Sequence, residues 1–137
     1  MKKRVMLFFV FALCFILIRG EAYAMPMGDT SINPLWIDKS SSRVNLTINH
    51  GTAVASAKLV GGRGTEKISA TMYLQKKEGA SWSTVKTWQN VSNGKDLSFS
   101  QSARISRGNT YRVRVRVTTK MNGKEVTSNI YSGTKNY

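Results

Sequence analysis

The stretch YRVRVRVTTK, residues 111–120, alternates apolar and charged side chains without a break. Valine occupies one parity and arginine the other, at Val113, Val115 and Val117 and at Arg112, Arg114 and Arg116. Successive side chains of a β-strand point to opposite faces of its sheet. The pattern therefore predicts a strand with a buried apolar face and an exposed cationic face.

The same period of two runs through most of the chain after residue 42. It recurs in six further segments: 43–49, 52–60, 66–77, 82–91, 96–105 and 124–137. Turn residues such as Asn93-Gly94 and Asn122-Gly123 separate them. Seven one-sided strands without crossover helices pack most simply as two antiparallel sheets. The sequence thus predicts an all-β, seven-stranded antiparallel β-sandwich, with a small open barrel as the alternative.

Two local resemblances bear on that fold. The segment ISRGNTYRVRV, residues 105–115, resembles the turn into the sixth strand of fibronectin type III domains. It implies an immunoglobulin-like or fibronectin type III-like sandwich in which Tyr111 is a structural corner, its hydroxyl bonding back to the preceding loop. Residues 72–88 and 111–132 resemble a family of small secreted proteins of Gram-positive bacteria with no assigned function. That resemblance implies export and an all-β fold, and it carries no catalytic residues.

The first 24 residues have the organisation of a secretory signal peptide. A basic segment (residues 2–4) precedes an apolar run (5–18), and Ala22-Tyr23-Ala24 supplies the small residues that signal peptidase needs. The apolar run covers only about 21 Å of a ~30 Å hydrocarbon core, which disfavours the alternative of a membrane anchor. A lipoprotein signal is disfavoured because Leu13 is bulky. We expect cleavage after Ala24 and a secreted, extracellular or wall-associated protein, which would meet a membrane only through an uncleaved signal.

The remainder divides into an extended leader, residues 25–42, and the sandwich domain, residues 43–137. Cleavage would remove Cys14, the only cysteine, so no disulfide or thiolate metal site is expected. The single histidine, His50, lies at a turn, and the carboxylates are dispersed along the chain. The sequence therefore predicts no catalytic residue, metal or cofactor, and a protein that is not an enzyme.

The charge indicates the chemistry of a partner. The chain holds 21 Lys and Arg against 7 Asp and Glu, a formal net charge of +14. Arginine forks suit phosphate and carboxylate groups. The candidate anion-binding residues are Arg112, Arg114 and Arg116, with Arg104, Arg107 and Lys120 near the ends of the same predicted hairpin. We expect an anionic cell-envelope polymer as the partner and no nucleic acid, since the protein is exported. The competing interpretation is the solvated face of a sheet.

Aromatic residues suggest a second kind of site. Trp82 and Trp88 share one parity, and Tyr73 lies on the preceding strand, so the three form a candidate platform for a sugar ring. A β-bulge between the two tryptophans would instead turn one of them into the core. A different function is also open: a structural or assembly subunit that pairs through exposed strand edges, such as the C-terminal strand ending in Tyr137.

Overall fold

The computed structural model describes residues 36–137. The predicted signal peptide and residues 25–35 of the predicted leader lie outside this range. Within it the chain forms strands only, none of its segments being helical: β1 (Arg43–Asn49), β2 (Thr52–Val60), β3 (Thr65–Glu78), β4 (Ser81–Ser92), β5 (Asp96–Arg104), β6 (Thr110–Met121), β7 (Lys124–Tyr131) and β8 (Lys135–Asn136). Accordingly, this part of the chain holds no helix long and apolar enough to cross a membrane.

The strands form two antiparallel sheets, which confirms the predicted all-β, two-sheet arrangement. One sheet has the order β1-β2-β5, and the other has the order β4-β3-β6-β7, with β8 paired to β6. All of these pairs are antiparallel. The strand with the arginine row, β6, therefore lies in the middle of its sheet, between β3 and β7.

The core lies between the two sheets and is built from the inward parity of each strand. The three valines of β6 are at most 1% exposed. On the neighbouring strand β3, Ile68, Met72 and Leu74 point into the same core with no exposed area. Full burial of such a side chain contributes about 1.5–3 kcal/mol, so these rows determine which face of each strand turns outward. Ile37, which precedes β1, is also buried in this core and pairs with Gly61.

Tyr111 anchors the passage from β5 in one sheet to β6 in the other. Its side chain is 1% exposed. Its hydroxyl donates a hydrogen bond to the Ser106 carbonyl oxygen at 2.8 Å, and the Ser106 backbone N–H donates to the hydroxyl oxygen at 3.2 Å. The loop before β6 is thus tied to the first buried ring of that strand.

The structure has eight strands where the sequence predicts seven, because the segment 124–137 is interrupted. The Val113 backbone N–H donates to the Ser132 hydroxyl at 2.8 Å, in place of a ladder carbonyl. Side-chain hydroxyls compete with regular pairing in this way. Pairing with β6 resumes only at Lys135 and Asn136, which lie opposite Tyr111 and Thr110.

Candidate functional site on the outer face of the five-stranded sheet

The outward side chains of β4, β3, β6 and β7 form one continuous surface, which we call the arginine face. The registers of these strands place its side chains in cross-strand rows. Arg112, Arg114 and Arg116 stand in three successive rows, about 6.6–6.8 Å apart along β6. Lys120 lies further along the same strand, opposite Lys67 and Glu125.

Arg112 is held between two aromatic rings. The centre of its guanidinium lies 4.1 Å from the centroid of the Trp82 ring and 4.7 Å from that of the Tyr131 ring. Both distances are within the range of a cation–π interaction. Its Nε also donates to Gln75 Oε1 at 2.9 Å. The group is therefore fixed in orientation before any ligand arrives.

Arg114 stands over a third ring, with its guanidinium 4.5 Å from the centroid of Tyr73. Its Nε is buried and has no hydrogen-bond partner among the residues that the structure describes. A buried donor without an acceptor costs about 1–3 kcal/mol. Arg114 is thus held on the sheet by stacking, at the expense of one hydrogen bond.

Arg116 is exposed and borders a hollow in the face. It belongs to a row of polar side chains: Gln89, Thr71, Arg116 and Asn129. The hollow forms above the small side chains of Ser69 and Thr71, and its walls are Tyr73, Gln89, Val91, Arg116 and Thr118. The polar row makes no side-chain hydrogen bond within residues 36–137, whereas neighbouring Thr118 bonds the Thr127 hydroxyl at 2.8 Å.

The arginine face has little compensating negative charge. Among residues 36–137, the side chains that form an ion pair are Lys76 and Glu78, 3.2 Å apart near the end of β3. No carboxylate in that range therefore contacts Arg112, Arg114 or Arg116. Their charge is available to an anionic partner and is reduced only by solvent and salt.

The structure separates the predicted basic residues into two groups. Lys120 shares the arginine face, but Arg104 and Arg107 do not. Arg104 ends β5 opposite Thr52, on the outer side of the other sheet. Arg107 lies in the loop that follows, with its guanidinium 5.4 Å from the centroid of the Tyr137 ring. The expected hairpin does not form, because β5 and β6 belong to different sheets.

A bulge in β4 separates the two tryptophans. Leu74 pairs with Lys86 and Gln75 pairs with Thr84, which leaves Val85 as the extra residue. Trp88 consequently lies opposite Met72 and packs against the core, while Trp82 lies opposite Lys77 and contacts Arg112 on the arginine face. The structure therefore brings Trp82 and Tyr73 to one face and removes Trp88 from the proposed platform.

Four residues of the face were not found from the sequence: Gln75, Gln89, Asn129 and Tyr131. Each lies on a strand beside β6 or one strand further away, so its place depends on strand order and register. The alternation within a single strand contains no information on strand order or on register. Tyr131 alone left a signal in the sequence, as an aromatic residue within the predicted strand 124–137; in the structure it is 48% exposed.

Other ionisable residues serve local structure. His50 lies in the turn between β1 and β2 with a positive φ of 46°. Asp38 Oδ1 accepts from the Ser40 hydroxyl at 2.6 Å and from the Ser41 backbone N–H at 3.2 Å. These bonds, that from Ser40 first, lower the pKa of Asp38 to about 2. In residues 36–137, no three His, Cys, Asp or Glu side chains lie close enough together to hold a metal ion.

Comparison with known proteins adds a coarse description. No protein-family model matches the chain, and no curated protein matches it. Among solved structures, CsgH from R. palustris is similar at 13% identity and a TM-score of 0.39, over 66% of this chain and 89% of CsgH. The sporulation control protein Spo0M from Bacillus subtilis is similar at 9% identity and a TM-score of 0.30, over 67% of this chain and 49% of Spo0M. What is shared is a β-rich fold; no family, and no fibronectin type III likeness, is shown.

Proposed function

We propose that this chain is an exported, non-enzymatic β-sandwich protein whose arginine face binds an anionic polymer of the cell envelope. One observation carries the proposal: Arg112, Arg114 and Arg116 project from one central strand, and no carboxylate in residues 36–137 contacts them. A polymer with regularly spaced anionic groups would meet all three side chains at once.

The ring contacts favour binding over a merely solvated face. Long arginine stems cover sheet surface whether or not a ligand is present. Here, however, two of the three guanidinium groups are held by Trp82, Tyr131 and Tyr73. Fixing a flexible side chain in advance reduces the entropy lost on binding. That loss otherwise opposes binding by about 0.5–1.5 kcal/mol per side chain.

Three further parts of the proposal rest mainly on the sequence. Export follows from residues 1–24 and cleavage after Ala24. Absence of catalysis is supported by the single histidine and the dispersed carboxylates. Fibronectin type III character is supported by the tyrosine at the start of β6, whose hydroxyl bonds to Ser106, and by the division of strands between the sheets.

The proposal is tested by comparing two triple variants that lose the same charge. The first replaces Arg112, Arg114 and Arg116 by glutamine, which keeps a long planar side chain. The matched control likewise replaces Arg43, Lys58 and Arg104 by glutamine; these three residues lie on the outer side of the other sheet. We expect adsorption to purified anionic wall polymer to fall steeply with salt for the unmodified protein and the control. Adsorption should be nearly lost in the variant that lacks Arg112, Arg114 and Arg116. Equal losses of adsorption in both variants would overturn the proposal.

Assembly through strand edges is the second candidate, and one observation favours it. β1 is an edge strand of seven residues whose pairing with β2 contains no bulge. Regular edges are the ones that pair with other chains. The predicted C-terminal edge is less suitable, because β7 and β8 are separated by residues 132–134. Concentration-dependent oligomers would support this function, and a strictly monomeric sedimentation profile would remove it.

A further inference from the structure

We propose that the hollow beside Arg116 is a subsite for one carboxylated sugar residue, so that the polymer bound by the arginine face is an acidic polysaccharide and not a polyphosphate. This inference rests on the proposed function and specifies its ligand. It depends on the residues around Thr71, which differ in chemistry from those around Arg112 and Arg114.

The hollow offers groups that both donate and accept hydrogen bonds. Its lining combines the amide of Gln89 with the hydroxyls of Ser69 and Thr71. Amides and hydroxyls both donate and accept hydrogen bonds. Sugar hydroxyls do the same, so they match this set in either direction. Ionised phosphate groups only accept, so they would leave the Gln89 amide oxygen bonded to water and not to the ligand.

Arg116 differs from the other two arginines of the row in what surrounds its guanidinium. Arg112 and Arg114 are stacked on rings, whereas Arg116 is exposed at the edge of the hollow and has no ring contact within residues 36–137. Its planar fork matches a planar carboxylate, with two parallel N–H···O bonds. A single guanidinium beside the hollow suits one carboxylate per sugar.

The hollow also has apolar surface. Tyr73 and Val91 lie on opposite sides of Thr71 along the hollow, and Val91 is 53% exposed. Aromatic and aliphatic groups of this kind pack against the C–H surfaces of a sugar ring. A phosphate chain offers no comparable surface. The hollow therefore has separate groups for the hydroxyls, the carboxylate and the carbon skeleton of one uronate residue.

The experiment measures the affinity of the purified protein for a galacturonate homopolymer and for long-chain inorganic polyphosphate in the same buffer. Arg116→Lys keeps the positive charge but loses the planar guanidinium that can donate two parallel hydrogen bonds to a carboxylate. We expect it to weaken galacturonate binding about tenfold and to change polyphosphate binding by less than about twofold. Gln89→Ala should act in the same direction. Arg43→Lys, on the other sheet, is the matched control and should change neither affinity.

The outcomes separate this inference from the proposed function. Equal effects of Arg116→Lys on both polymers, or tighter binding of polyphosphate than of galacturonate, would overturn the uronate subsite. If the triple glutamine variant still loses polyphosphate binding, the anion-binding face itself would stand. If neither polymer binds the unmodified protein, the subsite and the proposed function both fail. All of these variants alter exposed or half-exposed side chains, and their tryptophan fluorescence reports whether they fold.

Discussion

Replacing Tyr111 by phenylalanine removes one hydroxyl at the point where the chain passes from one sheet to the other. The ring is 1% exposed, and the hydroxyl bonds the Ser106 carbonyl oxygen at 2.8 Å and the Ser106 N–H at 3.2 Å. A net hydrogen bond contributes about 0.5–1.5 kcal/mol, and a buried group left without a partner costs about 1–3 kcal/mol. Ser106 is exposed, so water replaces part of what is lost. We therefore expect a loss of about 1.5 kcal/mol in the free energy of unfolding.

The assay is urea unfolding followed by tryptophan fluorescence, with a thermal melt as a second readout. For a domain of this size, a loss of 1 kcal/mol lowers Tm by roughly 4–8 °C, so the expected shift is about 6–12 °C. Tyr131→Phe is the matched control, since that ring is 48% exposed and its hydroxyl makes no hydrogen bond within residues 36–137. Its effect should stay within about 0.5 kcal/mol. Equal stability of the two variants would refute the anchoring role of Tyr111.

Three further predictions concern the bulge in β4 and the turn before β1. Trp88→Ala should lower the free energy of unfolding by about 2 kcal/mol, because the ring packs against the core. Trp82→Ala should lower it by less than about 1 kcal/mol. Equal losses of stability in urea unfolding would contradict the faces assigned to the two rings. Deleting Val85 should leave a folded protein by circular dichroism, since that residue is the unpaired one, whereas deleting Thr71 from β3 should unfold it by reversing the faces of a central strand; loss of structure in the Val85 deletion would contradict the bulge. Asp38→Ala should destabilise at neutral pH, and its difference from the unmodified protein should shrink as pH falls from about 4 toward 2. The lowered pKa of Asp38 means that its carboxylate stabilises the fold above the unfolded pKa and loses this effect on protonation. A difference independent of pH would argue against the turn.

Most of the fold could be predicted from the sequence because its information is local. Each strand alternates with a period of two, and glycine or asparagine occupies the turns. The bounds of β1 and β2 match the predicted segments 43–49 and 52–60. The break in the last strand could not be predicted, because it depends on the Ser132 hydroxyl bonding Val113 across the sheet.

The site was predictable only along one strand. The outward direction of Arg112, Arg114 and Arg116 follows from the valines between them. Their neighbours depend on register, and the grouping of Arg104 and Arg107 with them failed because β5 lies in the other sheet. The hollow beside Arg116 arises because the small Thr71 of β3 lies between Gln89 of β4 and Arg116 of β6, a relation between strands that alternation within one strand does not contain.

The most direct test of the arginine face is an NMR titration of the ¹⁵N-labelled protein with a short galacturonate oligomer, repeated with a short polyphosphate. If the account is correct, amide shifts on adding at least one of these ligands will concentrate at Thr71, Gln89 and Arg116. They should shrink as salt is raised, because salt screens exposed charges. The amide signals of residues on the outer side of the other sheet, such as Asn45 and Ser100, should keep their chemical shifts. Shifts centred on that opposite sheet, or spread evenly over all basic residues, would contradict the central claim.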